Sequence, residues 1–213
     1  IHFEKGDWVT RLINVLNKKY DNDNFILITT DDIFVRDKDF KLLLNTALAF
    51  LRLSNNNLFN LCYSYNRIYL KENKFVKKID KISPHVISLR PTVFKLGFIK
   101  WLLNDISKNK KRFLTAADFE ILGSLICQRD NINSFGFSRK HSLKCDEAIS
   151  KGKLKTDISK KLYFALNKKF NTLNFYENLS YYSFLLIKET TDIFLPRGIL
   201  KFFIKKKLFW RIY

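Results

Sequence analysis

Apolar positions along the chain switch between two periods. Between residues 5 and 19, Trp8, Leu12, Val15 and Leu16 recur at helical spacing with Asp7 near the start, the pattern of a surface helix laid on a sheet. After the polar stretch Asp21-Asn22-Asp23-Asn24 that period is lost. Phe25-Ile26-Leu27-Ile28-Thr29 is continuously apolar, which predicts a strand covered on both faces. A helix is expected over residues 37–53, with Phe40, Leu43, Leu44, Ala47, Leu48 and Leu51 on one side and Asn55-Asn56-Asn57 ending it. Further strands are expected at 58–65, 85–89 and 132–137, and helices at 93–105 and 118–128. Such alternation predicts an α/β domain whose mostly parallel or mixed sheet is flanked by helices. Residues 157–213 instead alternate Lys with aromatic residues, which fits a helical or irregular extension without a core of its own.

Composition supports a folded domain and raises the question of a partner. Phe (21) and Tyr (9) far outnumber Gly (6) and Pro (3), and 46% of the 213 residues are hydrophobic, so a core is available and a disordered chain is excluded. Lys and Arg (39) against Asp and Glu (20) give a net charge of +19, suited to nucleic acid, anionic lipid or sugar diphosphates. A biased nucleotide composition of the source genome would raise the Lys content equally well. Cys62, Cys127 and Cys145 show no Cys-x-x-Cys or His-paired spacing, which speaks against a disulfide framework or zinc site and for a reducing, cytoplasmic setting. No apolar run reaches the ~18 residues of a spanning helix. The chain opens on Ile1 and contains no Met, so further residues are expected ahead of it.

The chemistry centres on Asp31-Asp32, directly after the first apolar strand. In doubly wound sheets ligands bind beyond the carboxyl ends of strands, where two carboxylates can hold Mg²⁺ or Mn²⁺ against a diphosphate. The same residue types also build turns and helix caps. His85 beside Pro84, and the cations Arg90 and Lys95, are candidate substrate contacts. Lys151-Gly152-Lys153 is another, because a glycine lets the backbone approach a pyrophosphate closely. Thr115-Ala116-Ala117-Asp118 reads as a helix entry with Thr115 or Asp118 as the cap. P-loop, dinucleotide-binding, nucleophile-elbow and zincin motifs are absent. No RRM, KH or helix-turn-helix signature accompanies the charge, so a nucleic-acid or polyanion binding module is the lesser alternative.

Five elements in order resemble bacterial GT-A-type glycosyltransferases that build surface polysaccharides. They are Gly6-Asp7-Trp8-Val9-Thr10-Arg11-Leu12, Leu27-Ile28-Thr29-Thr30-Asp31-Asp32-Ile33-Phe34 and Ile87-Ser88-Leu89-Arg90-Pro91-Thr92-Val93-Phe94, followed by Asp118-Phe119-Glu120 and Ala148-Ile149-Ser150-Lys151-Gly152-Lys153. The resemblance implies a GT-A-like, Rossmann-like domain over residues 1–156 that lacks its nucleotide-recognising first strands. It implies transfer of a sugar from a nucleotide-sugar donor to a glycan or lipid-linked acceptor. It makes Asp32 a metal ligand, Asp31 a partner to the ribose or the metal, and Lys151, Gly152 and Lys153 donor contacts. Glu120 becomes the base that deprotonates the acceptor, with Asp118 as second candidate; Ser88 joins His85 and Arg90 as a candidate substrate contact. Thr30 stands where the family commonly has an acidic residue, and Phe94 where it often has Trp. Residues 199–213 can form a helix with Ile199, Leu200, Phe203, Ile204 and Leu208 on one face and Lys201, Lys205 and Arg211 elsewhere. Such a helix either docks on the domain or lies on an anionic membrane surface, placing the protein peripherally on the inner face of the cytoplasmic membrane.

Overall fold

The computed structural model describes residues 6–17, 21–30, 33–35, 39–64, 67–70, 73–108, 113–147, 149–150 and 153–154. In chain order the first elements are α1 (Trp8–Leu16), β1 (Phe25–Ile28), β2 (Ile33–Val35), α2 (Phe40–Ser54), β3 (Leu58–Asn60), β4 (Tyr69–Leu70) and β5 (Val76–Ile79). They continue with β6 (Thr92–Lys95), α3 (Leu96–Ser107), α4 (Ala116–Arg129), β7 (Ser134–Phe137), a 3-10 turn (Arg139–His141), β8 (Cys145–Glu147), β9 (Ile149–Ser150) and β10 (Lys153–Leu154). The expected extension at 157–213, its helix at 199–213 included, lies outside the described residues.

Six strands form one sheet in the order β1-β6-β3-β7-β5-β4. Among the described residues only the β3–β7 pairing is parallel; the neighbours β1–β6, β6–β3, β7–β5 and β5–β4 are antiparallel. The sheet is therefore mixed, and the architecture is α/β with helices on both faces. Ile28 and Asn60 both lie opposite Thr92, and Asn60 also lies opposite Gly136. The carboxyl ends of β1, β3 and β7 thus share one edge with the start of β6. Separately, β2 pairs with β8 in an antiparallel ribbon, with Val35 opposite Cys145.

Side-chain alternation, with period two on each strand, sends successive residues to opposite faces. Leu58 and Phe94 join α1, α3 and α4 in one core, whereas Phe59, Val93, Phe135 and Phe137 meet Ala47 and Leu51 of α2 in the other. In β1, Ile26 and Ile28 face the first core and Phe25 and Leu27 the second, so the strand is covered on both faces as expected. It is nevertheless an edge strand among the described residues, paired only with β6.

Three expectations are corrected. Residues 85–89 form no strand: the backbone N–H groups of Ile87 and Leu89 donate to side chains of α4, and His85 has a left-handed φ of 53° that breaks extended geometry. The strand begins instead at Thr92, and α3 only at Leu96; Val93 and Phe94 belong to an apolar run that fits either period, and pairing with β1 and β3 on both sides selects the strand. Helix α1 buries Val9 and Leu16 and packs chiefly on α3 and α4 rather than on the sheet, leaving Val15 48% exposed. Its start follows the sequence, with Asp7 accepting the Thr10 N–H at 2.8 Å.

Candidate active site

Between β5 and β6 the chain runs as an irregular loop, residues 80–91, from the amino end of β7, where Ile79 lies opposite Ser134, over the α4 side of the sheet to the carboxyl edge of β1, β3 and β7, where β6 starts. Such a loop must find partners for its backbone amides outside any strand ladder, and here buried side chains supply them. Ser124 Oγ accepts the Ile87 N–H at 3.0 Å and Glu120 Oε1 accepts that of Leu89 at 2.7 Å, while the loop's own Ser83 Oγ accepts the N–H of Ile68, outside the loop, at 2.7 Å. Underneath, the buried Asn60 amide donates to Val86 O and Ser134 Oγ and accepts from Thr92 Oγ1, fixing the loop to the sheet. Val86, Ile87 and Leu89 anchor it in the core. Gly123 of α4 carries no side chain where a Cβ would come within 3.1 Å of Ile87 Cγ1, so the glycine permits the close approach of helix and loop.

Four residues singled out in the sequence come together on this loop and the first turns of α4. Glu120 holds the Leu89 amide with one oxygen, and its other oxygen lies 3.7 Å from His85 Nδ1. Ser88 Oγ, buried, accepts the Arg90 N–H at 3.1 Å. Burial pushes the Glu120 carboxyl above its ordinary pKa; the Leu89 N–H, the Arg67 charge, Ser88 and Arg90 act in the opposite direction without overcoming it. His85 holds a backbone conformation that costs about 1–3 kcal/mol for a side chain of this kind, and such strain clusters at functional sites.

Asp118 lies elsewhere in the local chemistry. It forms a capping box with Thr115, accepting the Thr115 N–H at 3.0 Å while Thr115 Oγ1 accepts the Asp118 N–H at 3.2 Å. Lys95, at the far end of β6, pairs with Asp23 at 3.0 Å and is not part of this group. Asp31, Asp32, Lys151 and Gly152 lie outside the described residues; Lys153 opens the short strand β10. The neighbours of the Asp pair are described: Thr30 N donates to Leu89 O at 3.1 Å, and Ile33 N to Thr30 O at 3.3 Å. The end of β1 is thereby tied to the same loop residue whose amide Glu120 holds.

Sequence reasoning missed Arg67. It is 4% exposed, donates from Nε to His85 O at 2.7 Å and from Nη1 to Cys62 O at 3.3 Å. Its Nη2 has no protein acceptor among the described residues. A buried guanidinium normally meets an anion, and its charge bears on Glu120 and Cys62 without a direct carboxylate bridge among the described residues. Arg67 is one of 39 basic residues, and only its burial under the loop distinguishes it.

Two surface hollows, of about 440 Å³ beside Lys95 and Trp101 and about 260 Å³ beside Lys81 and Asn131, sit at the opposite, amino ends of β1, β3 and β7. Neither includes Glu120, His85, Ser88 or Arg90. Among the described residues no three His, Cys, Asp or Glu side chains gather as a metal site, and no helix is long and apolar enough to cross a membrane. No protein-family model matches the chain, and a search of curated proteins returns no match.

Proposed function

We propose that this chain carries the acceptor-side half of a glycosyltransferase site, which transfers a sugar from a nucleoside-diphosphate donor to a glycan or lipid-linked acceptor. One observation carries the proposal: Glu120, His85, Ser88 and Arg90 converge at the carboxyl edge of the sheet, against the loop residue that binds Thr30, immediately before Asp31-Asp32. Ligand crevices form at such edges in open α/β sheets.

Glu120 accepts the proton of the acceptor hydroxyl. Burial raises its pKa, which makes the carboxylate a better base, and the Leu89 N–H fixes its orientation. The second oxygen, on the His85 side, receives the proton. Arg67 and Arg90 supply positive charge against the departing diphosphate, and Nη2 of Arg67, which has no protein acceptor among the described residues, is a preorganised donor that costs no rearrangement during reaction. Asp31 and Asp32 offer the hard oxygen ligands that Mg²⁺ or Mn²⁺ prefers, and such an ion would neutralise diphosphate charge. Those two residues would hold it together with oxygens of the donor.

The test is release of nucleoside diphosphate by full-length protein supplied with a panel of uridine and guanosine diphosphate sugars, with and without Mg²⁺ or Mn²⁺. Asp32→Ala should lower kcat/KM at least tenfold, since removing a principal charge stabiliser costs several kcal/mol, on the order of 3. A smaller loss removes Asp32 from the donor site.

A further inference from the structure

Two of the three cysteines meet in space although the sequence gives no spacing that pairs them. Cys62 lies just beyond β3 and Cys145 opens β8, 83 positions later, yet their Sγ atoms are 2.9 Å apart. Sulfur atoms at this distance need to close by only about 1 Å to reach the ~2.05 Å of a disulfide. The surrounding chain already holds them in register, because Leu143 N donates to Leu61 O at 2.9 Å and both cysteines sit in the core beneath α2.

We propose that Cys62 and Cys145 form a reversible disulfide that clamps the β2–β8 ribbon to the end of β3. Cys145 is the partly exposed member and Cys62 is buried, which orders the chemistry. The Cys145 thiolate attacks the sulfur–sulfur bond of a small-molecule disulfide such as oxidised glutathione and expels one glutathione thiolate. The Cys62 thiolate then attacks Cys145 sulfur and expels the second. Both thiol protons end on the two glutathiones, so two protein thiols and one oxidised glutathione become one protein disulfide and two reduced glutathiones. In the free dithiol the Cys145 hydrogen bond, with the charges of Arg90 and Arg67, holds the Cys62 pKa below the usual thiol value despite burial; once Cys145 is in the mixed disulfide and has no proton to donate, the two arginine charges still favour the resolving Cys62 thiolate.

Cys127 provides the internal contrast. It is buried in α4, and desolvation together with Asp130 pushes its pKa up to about 12, so it stays a thiol. The clamp acts on a sensitive element, because Val35 pairs with Cys145 and β2 starts directly after Asp31-Asp32. Any effect on transfer rests on the proposed function, whereas the bond itself does not.

Full-length protein equilibrated in glutathione buffers of increasing oxidised fraction, acid-quenched, alkylated and mapped by mass spectrometry tests the bond without an activity assay. The expected product is one cross-linked peptide pair joining Cys62 to Cys145, formed reversibly, with Cys127 alkylated only after denaturation. Hydrogen exchange at residues 33–35 should slow several-fold in the oxidised form, and Cys145→Ser should abolish the cross-link. Two alkylatable thiols at 62 and 145 in excess oxidised glutathione, cross-links that include Cys127, or unchanged exchange at 33–35 in cross-linked wild-type protein would each overturn the proposal.

Discussion

At the scale of single residues, Glu120 binds the site's parts together, because its carboxylate both fixes the Leu89 amide and faces His85. Its raised pKa has a defined sign. The folded state binds this proton more tightly than the unfolded chain, so the stability it contributes is complete below the ordinary carboxylate pKa and is lost as pH rises through the raised one. A base must be deprotonated, so the acid limb of the kcat/KM profile is expected above the ordinary carboxylate pKa of about 4.3. A profile flat from there to neutrality would show that Glu120 is not the titrating base. Glu120, Ser88 and Arg90 stand in short motifs that the sequence displays, and His85 stands out only by its place beside Pro84. Arg67 was not legible there, since its distinction is burial beneath a loop, a property of tertiary packing. The Cys62–Cys145 pair was likewise invisible: their 83-residue separation carries no pattern, and only the meeting of β3 and β8 brings them together.

Among the elements, the 80–91 loop and α4 determine whether the site exists, and their contact passes through Gly123. A valine there would force branched carbons against Ile87, which is fully buried and has no room to retreat. Gly123→Val is expected to destabilise the fold by about 1–3 kcal/mol, the usual cost of overpacking, and to reduce transfer although residue 123 makes no contact with the reacting groups in the proposed mechanism. Denaturant unfolding with a parallel transfer assay checks this; an unchanged midpoint would mean that helix and loop are not tightly packed. Periodicity disclosed α2, α4, β1 and β7, because each has an apolar pattern that fits one period over most of its length. It failed at 85–94. There Ile87, Leu89, Val93 and Phe94 are all apolar, and the choice among loop, strand and helix depends on partners far along the chain: Ser124, Glu120, β1 and β3.

Viewed as a whole molecule, the α/β class and the mixed sheet follow from alternating elements, but strand order does not, because β6 inserts between β1 and β3 through pairings that no local pattern encodes. The net charge of +19 belongs to this scale too. If residues 199–213 face an anionic membrane, Lys201, Lys205 and Arg211 contribute about 1 kcal/mol each, together roughly a hundredfold in affinity. Deleting 199–213 should therefore sharply reduce co-sedimentation with anionic vesicles; unchanged binding would show that this segment is not the anchor. The central claim, that the loop-and-helix site performs sugar transfer with Glu120 as base, is tested most directly by comparing kcat/KM of full-length wild type and Glu120→Gln on a nucleoside-diphosphate sugar. Glutamine keeps an oxygen for the Leu89 N–H, so the unfolding midpoint should be preserved while kcat/KM falls about a hundredfold or more. A folded Glu120→Gln enzyme that transfers sugar at the wild-type rate would contradict the claim.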